Sequence, residues 1–486
     1  MKIRLLFYLL FVVAAAQAQD RTLPVTTQAL QQYDRYREPL ITTRLFKHQD
    51  VETLIAKHHN LLKDEVIGSS MQDRAIHHLT LGKGRTKVLL WSQMHGDEAT
   101  ATMALFDLFN FLSTKDEYRR LKKMLLRKLE LHIVPMLNPD GAQIWTRTNA
   151  MKIDINRDAQ NLATPEAKAL MELAKRIRPD FGFNLHDQST YYAAGKNTAK
   201  PASISFLAPA FNTAKDMDET RQRAVQVIVS MNNAIQTQIP NQVAKYNDTF
   251  DESCFGDTFQ GMGISTILIE TGGYPGDPDK QVLRKVNFHA ILTALTAMAQ
   301  KSYVNEEAET YWNLPNNFNN LHDVIFRNLT LSVDGKTVQT DLAINRQQRV
   351  GVDGKTFYYI GEILKNKKLD SAFAYQDIDA GTFTLETGKI KVMTEDAWTH
   401  LKPEEESQLL MEGYLFVKLE NATSPIGPIR NRLLNLINNT ETAQFSGGGP
   451  ANFILYKQQK PYYAVVNGYV LKLDEPVKAL WNTMGY

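Results

Sequence analysis

The feature that most restricts this chain is a recurring pattern: a short, apolar, β-rich run that stops at a polar residue able to do chemistry. TKVLLWS (86–92) runs into His95-Gly-Asp-Glu98, LELHIVPM (129–136) into Asn138-Pro139-Asp140-Gly141, DFGFNL (180–185) into His186, and STILI (265–269) into Glu270. Between these runs lie ATATMALFDLFNFLSTKDEY, TPEAKALMELAKRI and KVNFHAILTALTAMAQK, with apolar residues three and four apart, which read as helices. Thr164-Pro165 places a threonine and a proline where a helix start wants them. Strands alternating with helices predict an α/β domain built on a mixed, mostly parallel twisted sheet flanked by helices. In such open sheets ligands bind beyond the carboxyl ends of the strands. The four polar groups, far apart in sequence, are therefore expected to share one crevice.

At 486 residues the chain is too long for one ordinary core, and 43% hydrophobic residues supply material for two. The pattern changes beyond about residue 303. VNEEAETYWNLPNNFNN is polar and rich in Asn, and suits a linker over 304–319. After it come period-2 runs: LTLSVDGKTVQTDLAI, VGVDGKTFYYIGEI, GTFTLETGKIKVMT, GYLFVKLE and ANFILYKQQKPYYAVVNGYVLKL. Two of them contain Asp-Gly-Lys, a favoured hairpin turn. Residues 320–486 thus read as a smaller β-rich domain, without a cluster that carries chemistry and with no partner to name.

The first twenty residues, MKIRLLFYLLFVVAAAQAQD, combine Lys2 and Arg4, an apolar stretch from Leu5 to Ala16, and Ala16-Gln17-Ala18. This is the layout of a secretory signal peptide over 1–18, cleaved after Ala18, which predicts a secreted or periplasmic protein with no membrane span after processing. The formal charge of +2 falls close to zero once Lys2 and Arg4 are removed, so there is no basic field to attract nucleic acid. Cys254 is the single cysteine; no intramolecular disulfide can form, and the thiol reads as a small buried hydrophobe.

Two histidines and a carboxylate with an open fourth position make a catalytic zinc site, whereas structural zinc is closed by four protein ligands. His95, Glu98 and His186 supply that set. His-x-x-Glu alone is weak evidence; its company is TRTNAMKIDINRD (146–158), which sets Arg147, Asp154, Asn156 and Arg157 shortly after the Asn-Pro-Asp-Gly turn. The pairs His58-His59 and His77-His78 read as solvated surface, and His132 as packing within a strand.

With His-x-x-Glu, Asn-Pro-Asp-Gly, Arg followed by Asp-x-Asn-Arg, a strand-end His and Glu-Thr-Gly-Gly in this order, the sequence resembles the M14 (funnelin) zinc carboxypeptidases over about residues 40–300. The resemblance implies a catalytic domain over 19–303 that hydrolyses C-terminal peptide bonds with one zinc per chain, held by His95, Glu98 and His186. It implies that Asp154 orients the first histidine, that Arg147 polarises the scissile carbonyl, and that Asn156 and Arg157 hold the substrate's terminal carboxylate. Glu270 would be the general base. Tyr246 matches a family tyrosine that closes over substrate, and Phe255 falls where the family sets side-chain preference. Asp158 departs from the residue usual in digestive members and puts a carboxylate beside the proposed anion pocket. A second enzyme class shares most of these motifs and stays open: a related zinc amide hydrolase, either a peptidoglycan-stem peptidase or an aspartoacylase-like deacylase, and a DAP-containing or γ-linked substrate would be consistent with Asp158 and export. A pseudoenzyme that only binds peptide would be expected to have lost a ligand or the base, and none is lost.

Overall fold

The computed structural model describes residues 24–333, 336–351, 353–364, 369–420, 432–437 and 448–475. The candidate signal peptide lies outside them. The described chain divides into two units, one running to Thr190 and resuming over Lys200–Asn317, the other formed by Tyr191–Ala199 and the chain from Phe318 onward.

The first unit is built on an eight-stranded sheet of β1 (Lys63–Ser69), β2 (Ala75–Gly82), β3 (Thr86–Ser92), β4 (Leu129–Val134), β5 (Phe181–Asp187), β6 (Ile204–Leu207), β7 (Val243–Lys245) and β8 (Ser265–Thr271), in the order β1-β2-β4-β3-β5-β8-β6-β7. The four predicted strands are β3, β4, β5 and β8, and they form its parallel centre. Antiparallel pairs join the flanks to it: β1 pairs β2, β2 pairs β4, and β6 runs against β8, while β7 lies parallel to β6. β1 and β2 have no apolar run to announce them, because β1 is an edge strand with no fully buried residue.

Period-2 side-chain alternation explains how one strand serves two cores. Val88 and Leu90 of β3 pack with helices α3 (Thr100–Ser113), α7 (Glu219–Ile235) and α9 (Gln281–Gln300), through Phe109, Val225, Ile291 and Leu295 among others. Leu89 and Trp91 face the opposite way, onto Leu170 and Leu173 of α6 (Pro165–Ile177) and Phe255 and Phe259 of α8 (Phe255–Gly261). The remaining labelled helices are α1 (Val25–Gln31), α2 (His48–Lys57), α4 (Arg119–Lys128) and the short α5 (Pro139–Ile144). Thr164 caps α6, its hydroxyl accepting from the Ala167 amide at 3.2 Å, with Pro165 at the first turn. The polar stretch after residue 303 is partly structured. Glu309–Trp312 is a helical turn, and the buried Tyr311 accepts the Ala208 amide on its hydroxyl at 3.3 Å.

In the second unit Leu321–Val333 pairs antiparallel with Lys336–Val350, which pairs with Phe357–Ile363. The same sheet continues through Phe373–Asp379, Thr384–Glu386, Phe453–Lys457, Lys460–Val466 and Tyr469–Lys472. GTFTLETGKIKVMT, read as one period-2 run, is shared between two sheets: Lys389–Met393 joins Tyr414–Leu419 and Asn435–Ile437 in a parallel three-stranded sheet. Asp334 and Gly335 of the first Asp-Gly-Lys turn lie outside the described residues. In the second turn, Asp353 Oδ1 accepts from the Lys355 and Thr356 amides.

Candidate active site

The loop after β3 and the end of β5 bring three ligand atoms together. Glu98 Oε1 lies 2.8 Å from His95 Nδ1, Glu98 Oε2 lies 2.7 Å from His186 Nδ1, and the two Nδ1 atoms are 3.1 Å apart. All three residues are buried. His95 Nε2 sits 2.9 Å from Asp154 Oδ1. A carboxylate can only accept there, so Nε2 carries a proton, and Nδ1 is the nitrogen that faces Glu98 and His186 and can bind a cation in place of a proton. Lone pairs this close repel unless a cation lies between them, and two imidazoles with a carboxylate are donors that zinc takes readily. The residues present therefore fit a zinc ion.

The electrostatics agree. Burial opposes charging of His95, yet the carboxylates of Glu98 and Asp154 outweigh it and push the imidazole up to about 9. For His186 burial wins and the ring is held down. Glu98 stays well below the usual carboxylate range, the pull of both histidines overcoming burial. The cluster thus attracts one extra positive charge, which a proton or a metal ion can supply.

Close backbone contact holds the ligand loop in place. A Cβ on Gly96 would lie 2.1 Å from the carbonyl carbon of Gly141, so the loop after β3 can rest on α5 only without a side chain there. Asn138 fastens the same junction: its Oδ1 accepts from the Gly141 amide at 2.9 Å, and its Nδ2 donates to the carbonyls of Met94 and Arg147, each at 3.3 Å. Arg147 is half-exposed, its guanidinium donating to Asp154 Oδ2 at 3.0 Å through Nε and to Glu98 Oε1 at 3.2 Å. Asp154 also accepts from the Asn156 amide, and its carboxyl is held well below the usual range, since His95 and Arg147 outweigh its burial. Asn156 presents Nδ2 3.5 Å from His186 Nε2 and accepts from the Phe255 amide at 3.0 Å. Half of the Arg157 side chain is open to solvent; its Nη1 donates to the Asn156 carbonyl and to Cys254 Sγ, and its Nε lies 3.4 Å from Asp251.

Glu270 reaches the site through sheet register: it stands opposite His186 where β5 and β8 pair. Burial and the neighbouring Glu98 charge hold its carboxyl well above the usual range. Glu270 and Thr271 remain in strand β8, and Gly272 is needed because a Cβ would sit 2.1 Å from the Ala202 carbonyl oxygen.

The environments of Asp158, Phe255, His58 and His78 differ from what the sequence suggested. Asp158 is buried and turned inward, accepting from the Ala163 amide, the Thr164 amide and the Thr164 hydroxyl, each at 2.8 Å, so it offers no charge to an anion pocket. Phe255 is fully buried against Phe259 in a core rather than lining a pocket. Tyr246 follows β7, two strands beyond the strand of Glu270, with its amide donating to the Phe206 carbonyl at 2.9 Å. His58 and His78 are buried, not solvated: His58 packs edge-on to Phe109, and His78 stacks on His132 with Nε2 and Nδ1 2.9 Å apart. Asp187 was not singled out from the sequence. Its amide donates to Glu98 Oε2 at 3.0 Å, and its carboxylate accepts from Thr100 and from the buried Lys280 at 3.1 Å, fixing the ligand from behind. The carboxylate directly after His186 was the available signal.

Residues 48–255 match the model of the zinc carboxypeptidase family, Peptidase M14. Among curated proteins, the chain is 37% identical over 105 residues to Carboxypeptidase SOL1 of Arabidopsis thaliana, covering 19% of this chain and 21% of that protein. It is 27% identical over 135 residues to Carboxypeptidase 2 of Trichophyton tonsurans, covering 27% and 24%. The matched part thus spans about a quarter or less of either relative's length. Among solved structures, a metallo-carboxypeptidase from Burkholderia cenocepacia superposes with a TM-score of 0.43 at 17% identity, over 54% of this chain and 70% of that one. The motif resemblance is borne out: the chain carries an M14 zinc carboxypeptidase domain over residues 48–255. Glu270 lies beyond the matched segment, so its place at the site rests on the pairing of β8 with β5.

Proposed function

We propose that the chain is an exported zinc metallocarboxypeptidase that removes residues from the C-termini of peptides and works outside the cytoplasm, secreted or periplasmic. The observation that carries this reading is the convergence of His95, Glu98 and His186 within 2.7–3.1 Å, with Glu270 opposite His186 in the sheet. His95, Glu98 and His186 would hold one zinc ion, which supplies a Lewis acid and brings the pKa of a bound water to about 7. Glu270 takes the proton of the attacking water and hands it to the leaving amine. Arg147 directs a half-exposed guanidinium at the developing oxyanion, kept in place by Asp154 and Glu98. Asn156 and the open edge of Arg157 hold the terminal carboxylate, for which a planar guanidinium is well shaped. Tyr246 stays a candidate for closing over substrate. The domain plan proposed with this reading is a leader over 1–18, a catalytic region to 303, a connecting stretch over 304–319 and a β-rich region from 320. Among the described residues no helix is long and apolar enough to cross a membrane.

The stem-peptide and deacylase alternatives share most of these motifs, but Asp158, which would have suited a DAP-containing or γ-linked substrate, is taken up by the start of α6. The test is a mixed peptide pool read by mass spectrometry, half of it amidated at the C-terminus. Single residues should be lost from free C-termini only, the loss should stop with a zinc chelator, and added Zn2+ should restore it. Equal cutting of amidated peptides would mean that no terminal carboxylate is read and would promote the amide hydrolase.

A further inference from the structure

A second cluster of two histidines and a glutamate lies at one flank of the sheet, away from its centre, and shares no residue with the first. His48 opens helix α2, and Glu52 follows one turn later on the same face. His77 lies on β2, and the pleat points it away from His78 and toward α2.

Each imidazole has one nitrogen already committed. His48 Nε2 is 2.9 Å from the Ala75 carbonyl oxygen, which can only accept, so Nδ1 is the lone-pair atom. His77 Nδ1 lies 2.9 and 3.0 Å from the two oxygens of Asp64, which leaves Nε2 as its lone-pair atom. That Nε2 is buried and has no hydrogen-bond partner. The two free nitrogens face the same carboxylate: His48 Nδ1 is 3.8 Å from Glu52 Oε2, and His77 Nε2 is 3.9 Å from Glu52 Oε1. These separations are too long for hydrogen bonds. They are within the span of two bonds of about 2.0–2.2 Å to a shared ion. A histidine whose far nitrogen is anchored by a carbonyl or carboxylate is also the usual arrangement behind a metal ligand.

We propose that His48, Glu52 and His77 form a second divalent-metal site, taking zinc or another imidazole-seeking ion such as Cu2+ or Ni2+. Glu52 is half-exposed, so solvent completes the coordination. The ion would clasp helix α2 to strand β2, beside the edge of the sheet. This site does not depend on the carboxypeptidase reading.

The test strips the whole protein with chelator, returns Zn2+ alone at graded free concentration, and records ions per chain together with the melting temperature. Wild type should take up two ions, His77→Ala and His186→Ala one each, and the double variant none. In His186→Ala the melting temperature should still climb with zinc concentration, and Glu52→Gln should weaken that climb at least tenfold in concentration. Because Glu52 is exposed, Glu52→Gln decides the matter if metal-free His77→Ala melts far below metal-free wild type. Equal zinc uptake by wild type and His77→Ala, or by wild type and Glu52→Gln, overturns the second site and reduces the cluster to a salt bridge. Equal uptake by wild type and His186→Ala overturns the catalytic ligand set instead.

Discussion

The first unit contains the same trio of candidate ligands twice, two histidines and a glutamate, and the two copies differ in what surrounds them. His95, Glu98 and His186 are all buried at the carboxyl ends of β3 and β5, with a second carboxylate, Glu270, and a guanidinium, Arg147, at hand. His48, Glu52 and His77 sit where a helix crosses a flanking strand, and Glu52 leaves about half of its side chain in water. The second carboxylate there, Asp64, is spent on His77. Two histidines and a glutamate are enough to hold an ion. A buried base and an oxyanion partner are needed to use it. Parallel strand ends can deliver both, because neighbouring strands add side chains to one crevice; a helix over an antiparallel flank adds none.

The sharpest break between the two clusters is Glu270→Gln. The inner cluster should keep its zinc and its peptide affinity, since Glu270 is not a proposed ligand, while kcat falls by about 10² to 10⁴ because one residue serves both proton transfers. Zinc content, affinity and kcat on one preparation check this. Near-normal kcat removes Glu270 from the mechanism, and lost zinc makes it a ligand.

A smaller effect separates the supporting carboxylates. Asp154→Asn should weaken zinc binding at the inner cluster by roughly 10- to 100-fold, as loss of a group orienting a metal ligand commonly does, and turnover should drop at limiting zinc. Asp64→Asn should leave turnover within about twofold of wild type, by the additivity of distant sites, while moving only the second, outer binding step. If Asp64→Asn lowers turnover as much as Asp154→Asn, the clusters are not independent.

The inner cluster could be read from the sequence because its parts are local: each ligand ends an apolar run, and β3, β5 and β8 carry that run in full. The outer cluster could not. His77 lies on β2, whose partner β1 (KDEVIGS) is polar and half-exposed, so nothing in the local pattern marks a strand. Its burial is set by α2, more than twenty residues earlier in the chain. Asp158 and Phe255 misled for the same reason. The order of motifs placed Asp158 beside the anion pocket and Phe255 where side-chain preference is set, but the fold turned Asp158 to the start of α6 and Phe255 into a core. Motif order fixes which segment is near the site, while the direction of a side chain depends on packing partners elsewhere in sequence.

The smallest expected effect concerns histidines that hold no ion and so contrast with both clusters. His289 is pushed down to about 4, first by burial and then by Lys285; its Nδ1 accepts from Gln238 Nε2 at 2.8 Å. His132 is likewise pushed down to about 4, chiefly by burial and then by its neighbour His78. The unfolded chain protonates these rings near pH 6.5, so between 6.5 and 4 it binds more protons than the folded protein. Their stabilising contribution is therefore complete above pH 6.5 and is lost as pH falls toward 4. The slope is at most about 1.4 kcal/mol per pH unit for each ring. Urea unfolding of wild type and His289→Gln, both stripped of metal so that neither cluster exchanges an ion for a proton, isolates one ring: the stability difference between them should be constant above pH 6.5 and should change in favour of the variant below it. Parallel curves from pH 7 to 4.5 would mean that His289 charges as readily in the folded protein as in water.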